Sequence, residues 1–127
     1  MIVNFKYVDI DNYEELEDDE IIIGLPENIN FNKFIKDFID YSYFYMRGYE
    51  IADVINDKEL FKEQFPDLSK EDAEYFITMR ENGISARSVV VNFLEKFPQY
   101  RSDYCGNISH SIVFNEYNIK VDGKKYY

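Results

Sequence analysis

The chain has 127 residues, 46% hydrophobic and 18% aromatic, with a net charge of −11. That length suits a single domain, 1–127, with a core of its own, and this apolar content excludes global disorder. No apolar run reaches the roughly 18 residues of a membrane span, the start MIVNFKYVDID lacks the basic stretch and cleavage site of a secretory signal, and the single Cys105 permits no internal disulfide, so the expectation is a cytoplasmic protein without membrane contact.

In chain order, Ile2–Val8 alternates apolar and polar residues and predicts a strand. Asp9–Glu20 follows with eight carboxylates and no basic residue, which predicts a solvated loop or a frayed short helix. The β-branched run Glu20–Ile23 predicts a short buried strand. After Gly24 and Pro26, Asn30 is placed to cap a helix. Phe31, Phe34, Ile35, Phe38, Ile39, Ser42, Tyr45, Met46 and Tyr49 then fall on one face at period 3.6. Aromatics make up most of this face, so it is expected to organise the core, with Phe34, Ile35, Phe38, Ile39, Val90, Phe93 and Leu94 joining Phe5 and Ile22. Gly48 either ends this helix or bends it onward.

Asn56 or Asp57 caps a short helix stopped by Pro66, and Ser69 caps the next, which Asn82-Gly83 ends. Ser85 caps a helix whose buried face is Ala86, Val89, Val90, Phe93, Leu94 and Phe97. Ile108–Phe114 reads as a strand, and Asp122-Gly123 between two further β-like runs is a type I′ hairpin signal. Strands at both ends with helices between predict an α+β fold: an antiparallel sheet from the N- and C-terminal strands, packed on a central group of about four helices.

Charge is uneven. Residues 1–76 hold 20 acidic and 7 basic residues, net −13, and residues 77–127 hold 5 acidic and 7 basic, net +2. A negative field repels nucleic acid and attracts basic proteins. Spacing from Asp9 to Glu20 overlaps part of an EF-hand calcium loop, but Tyr13 and Glu14 occupy positions where that loop needs a ligand and a glycine; no metal or other cofactor is predicted. Cys105 and His110 could act as thiol and base in a small enzyme, though no orienting third group is evident. The helical hairpin 69–97, with Arg80, Arg87, Lys96 and Arg101, could serve a DNA-binding regulator, but PQYRSDYCGN does not read as the recognition helix that should follow. No glycine-rich phosphate loop, GxSxG or HExxH motif occurs.

Carboxylates and surplus tyrosine remain. Tyrosine is favoured at protein interfaces, and rows of carboxylates can stand in for phosphates opposite Arg and Lys. In composition the chain is similar to anti-restriction and anti-CRISPR proteins and to immunity proteins of nuclease toxins, and its lean to Ile, Asn, Lys, Phe and Tyr suits AT-rich coding, as in many low-GC bacteria and their phages. The expected function is a non-enzymatic acidic protein that inhibits a basic partner, such as a nuclease or nucleic-acid-binding protein, by occlusion and phosphate-charge mimicry, with no direct contact to nucleic acid. The expected partner-binding residues are Asp9, Asp11, Glu14, Glu15, Glu17, Asp18, Asp19 and Glu20, with Asp37, Asp40, Tyr41 and Tyr43 as a neighbouring patch.

Overall fold

The computed structural model describes residues 1–8, 19–116 and 118–126. In chain order these form β1 (Ile2–Tyr7), β2 (Glu20–Gly24), α1 (Phe31–Met46), α2 (Gly48–Val54), α3 (Lys58–Gln64), α4 (Lys70–Glu81), α5 (Ala86–Lys96), a 3₁₀ turn at Pro98–Tyr100, β3 (Ile108–Phe114), β4 (Ile119–Val121) and β5 (Lys124–Lys125). The α+β class is the one predicted, with five helices among the described residues where about four were expected. The chain forms two compact units, residues 1–40 with 85–127, and residues 41–84.

The first unit contains the sheet, in the order β2-β1-β3-β4-β5. β1 pairs antiparallel with β2, from Ile2 opposite Gly24 to Lys6 opposite Glu20. It pairs parallel with β3, Phe5 opposite Ile112 and Tyr7 opposite Phe114. The sheet is therefore mixed and not wholly antiparallel as expected. A tight turn forces antiparallel pairing, but β1 and β3 are joined through the whole helical middle of the chain, and a long crossover permits parallel pairing. The predicted hairpin joins β4 to β5, with Asp122 at φ 52° and Gly123 at φ 81°, both left-handed as a type I′ turn requires.

Phe5 of β1 lies 4.9 Å between ring centres from Phe38 of α1, which is 5.4 Å from Phe93 of α5 and 5.3 Å from Phe114 of β3. These edge-on and tilted rings form the centre of the first unit. Val90 and Ile35 are buried with them. Ile39 and Leu94 are half-buried. Ile22 is not a core residue, since it is 54% exposed. It sits opposite Asn4, on the sheet face away from Phe5, so a run of three β-branched residues concealed an alternating strand.

In the second unit, α1 stops at Met46 and Gly48 opens α2. A Cβ at Gly48 would stand 2.2 Å from Arg80 Cβ and 2.9 Å from the Phe76 carbonyl oxygen. Only a residue without a side chain lets α2 approach α4 this closely. Tyr41, Tyr45, Ile51, Val54, Phe65 and Phe76 fill this unit's core. The caps lie where the sequence places them: Asn30 accepts from Lys33 N–H, Asp57 from Leu60 N–H and Ser69 from Asp72 N–H. Ser85 and Ser88 cap α5 reciprocally.

Candidate functional site

Of the acidic run, Asp9, Asp11, Glu14, Glu15, Glu17 and Asp18 lie outside the described residues. Asp19 is not a free surface charge: its Oδ1 accepts the Ala86 backbone N–H at 2.5 Å. Ala86 is the first residue of α5, whose open N–H groups attract an anion. Burial pushes the Asp19 carboxyl above its ordinary range, opposed by that hydrogen bond. Glu20 is exposed; it meets Lys6 Nζ at 3.8 Å and accepts from Asn4 Nδ2 at 3.4 Å.

The patch expected on α1 divides in the same way. Asp37 accepts the Tyr100 hydroxyl at 2.5 Å and pairs with Lys33 at 3.3 Å. Burial, and then the hydrogen bond to Asp37, push Tyr100 up to about 12. Asp40 is exposed. Tyr41 is 3% exposed and its hydroxyl is bonded to that of Tyr75 at 2.8 Å, so it is a core residue and not a surface anchor. Tyr43 is half-buried, with the Arg47 guanidinium 3.8 Å from its ring centre. Asp37 and Asp40 belong to the first unit, Tyr41 and Tyr43 to the second.

Cys105 is exposed, its sulfur 3.6 Å from the Asp103 carbonyl. His110 has the orienting carboxylate that the sequence conceals: Nδ1 lies 2.7 Å from Asp122 Oδ2, and Phe31 stacks on the ring at 4.1 Å. That hydrogen bond, and a second from Ser111 N–H, hold Asp122 below the usual carboxylate range. The thiol and the imidazole thus hydrogen-bond elsewhere and not to each other. Among the described residues no group of three or more His, Cys, Asp or Glu could hold a metal ion. α4 and α5 fall in different compact units, and a 3₁₀ turn follows α5 where a recognition helix would be needed.

A second set of carboxylates was missed in the sequence. Glu50 and Asp53 on α2, Glu59 and Glu63 on α3, and Glu71, Glu74 and Glu81 on α4 are all exposed, and none makes an ion pair with a described residue. Glu50, Glu59 and Glu71 stand in first turns, where the helix dipole favours them. Their partners at i+3 or i+4, Asp53, Glu63 and Glu74, have no such reason and repel them. A repeated like-charge pair on helical faces was the available signal.

Among the described residues the first unit also has a sheet edge without a strand partner. β2 ends the sheet, and two clefts adjoin it. One, about 380 Å³, is lined by Ile22, Ile23, Gly24, Leu94, Arg101, Ser102 and Asp103. The other, about 220 Å³, is lined by Ile2, Ile22, Ile23, Gly24, Tyr104, Cys105 and Gly106. No protein-family model, curated protein or solved structure matches this chain.

Proposed function

We propose that this protein is a non-enzymatic acidic binder that inhibits a basic, nucleic-acid-handling protein by covering its site and standing in for phosphate charge. One observation carries the reading: the like-charge pairs Glu50/Asp53, Glu59/Glu63 and Glu71/Glu74, which remain in solvent without an ion-pair partner among the described residues. Helix stability disfavours such pairs by a few tenths of a kcal/mol each, so another requirement accounts better for them. Carboxylates spaced along a surface match the Lys and Arg groups that hold a nucleic-acid backbone. Residues 41–84 carry 10 acidic and 5 basic residues, net −5, so the field of this unit alone attracts a basic surface.

Affinity capture from the native host, with mass spectrometry, identifies the partner; competition then tests the mechanism. The expected result is a basic partner from which this chain and nucleic acid displace each other. Replacing Glu59, Glu63, Glu71 and Glu74 by Lys is expected to slow association, with a smaller effect as salt rises past about 0.15 M, where the screening length is about 8 Å. Simultaneous binding of nucleic acid and this chain, or unchanged association at low salt, refutes the proposal.

A further inference from the structure

We infer that Asn82 is a self-modification site: it loses its side-chain amide to the backbone nitrogen that follows it and becomes aspartate or isoaspartate. The inference is independent of the acidic-binder reading. In the first step the nitrogen of Gly83 attacks Cγ of Asn82. A C–N bond forms and closes a five-membered imide, and the side-chain nitrogen leaves as ammonia, taking the proton that Gly83 N–H gives up. Water then opens the imide at one carbonyl or the other. One opening gives aspartate; the other reroutes the backbone through the side chain and gives isoaspartate. Water is the only co-reactant.

Three observations select this residue. Of the chain's 11 asparagines only Asn82 precedes a glycine, and every other is followed by a side chain that crowds the attacking nitrogen. A Cβ at Gly83 would meet nothing within 4 Å, so the fold adds no obstruction of its own. Asn82 is exposed, and its side chain hydrogen-bonds to no described residue. It caps the C-terminus of α4 at φ −77° and ψ −3°, and ring closure needs ψ to rotate away from that value. Two hydrogen bonds on Gly83 resist the rotation: its N–H donates to the Arg80 carbonyl at 3.1 Å, and its carbonyl accepts the hydroxyl of buried Tyr45 at 2.8 Å. Helix ends open locally at far lower cost than the whole fold, so the reaction runs in the folded protein and this opening sets its pace.

Asp122-Gly123 is the contrast within the same chain. An aspartate before glycine can close the same ring with loss of water, and Gly123 is as open as Gly83. But Asp122 Oδ2 lies 2.7 Å from His110 Nδ1, and Oδ1 accepts Ser111 N–H at 2.9 Å. Both oxygens are held, and these bonds keep the group ionised, a form that resists attack by an amide nitrogen. Asn82 has no such protection. Its product sets a carboxylate at the C-terminal end of α4, where the helix dipole disfavours an anion. Residues 41–84 then pass from 10 acidic and 5 basic residues to 11 and 5, from net −5 to net −6.

The test is timed incubation of the whole chain at mildly alkaline pH, followed by tryptic digestion and mass spectrometry. Trypsin cuts after Arg80, Arg87, Lys120 and Lys124, so each site reports on its own peptide. The peptide from Glu81 to Arg87 is expected to gain the mass difference between an amide and an acid and to split into aspartyl and isoaspartyl forms. The peptide from Val121 to Lys124 is expected to stay aspartyl, while in urea, with His110 and Ser111 released, it too acquires isoaspartate. Asn82→Gln, an exposed change that leaves α4 intact, is expected to abolish the conversion, because the longer side chain would have to close a larger ring. Tyr45→Phe is expected to speed it about fivefold, the factor by which losing one hydrogen bond eases a local opening. A Glu81–Arg87 peptide that stays unchanged in the folded chain while converting in urea overturns the proposal. Equal conversion at Asp122 or at another asparagine overturns the selection by structure. An unchanged rate in Tyr45→Phe overturns the restraint assigned to that hydroxyl.

Discussion

Replacing Phe38 by Ala is expected to cost about 4–5 kcal/mol, near the top of the range for aromatic truncation in a core. The ring is 1% exposed, so all of its transfer free energy is lost. It also contacts Phe5, Phe93 and Phe114 at 4.9, 5.4 and 5.3 Å. These come from three different elements, two strands and α5, none of which can move into the vacancy without leaving the others, so the cavity should persist. Each ring pair adds roughly 0.5–1.5 kcal/mol beyond area, though not additively. Against a total stability of about 5–15 kcal/mol for a domain, the loss is large. Urea melts of wild type and variant read it directly, with Ile22→Ala as the surface control, expected within about 0.5 kcal/mol of wild type. A cost below about 1.5 kcal/mol for Phe38→Ala, or an equal cost for Ile22→Ala, would refute this account of the core.

Asp19→Lys should destabilise the protein by about 1–3 kcal/mol, because it removes an acceptor from the first N–H of α5 and sets a cation at that helix start; an unchanged thermal midpoint would return Asp19 to the pool of free surface charges. Tyr100 has a folded pKa raised from 10.0 to about 12, so its contribution is complete below pH 10 and is lost as pH rises through 12. Wild type should lose about 2–3 kcal/mol more than Tyr100→Phe over that window, at 1.36 kcal/mol per unit, and parallel pH–stability curves would refute the raised pKa that burial first and Asp37 second give Tyr100.

Local signals in the sequence were the legible part. Asn30, Asp57, Ser69 and Ser85 cap the helices they were expected to cap, and Asp122-Gly123 makes its turn, because each depends only on neighbours within a few residues. The aromatic face of α1 was readable for the same reason, through its period. What the sequence concealed depends on distant partners. The parallel pairing of β1 with β3, the exposure of Ile22, the burial of Tyr41 against Tyr75 and the attachment of Asp19 to α5 are set by segments far apart in the chain. Gly48 was ambiguous alone, since the residue that requires it is Arg80. The site fared worse than the fold: Tyr41 and Asp19 have structural partners, while the like-charge pairs on α2, α3 and α4 were visible as spacings but unremarkable until their exposure was known.

The parallel partnership of β1 and β3 has a consequence for how the chain is made. β1 ends at Tyr7 and leaves the ribosome well before its partner β3, which begins only at Ile108. Until then β1, an interior strand of the finished sheet, is itself an unsatisfied edge on the side that β3 will occupy. Contacts between such distant segments close a long loop before they are rewarded, which slows folding. While the residues between β2 and β3 are being made, a nascent chain therefore has an interior strand exposed as an edge, the state most open to mispairing with a neighbouring chain. Translation speed over the helical middle, and chaperone supply during it, should govern yield more than the stability of the finished protein does.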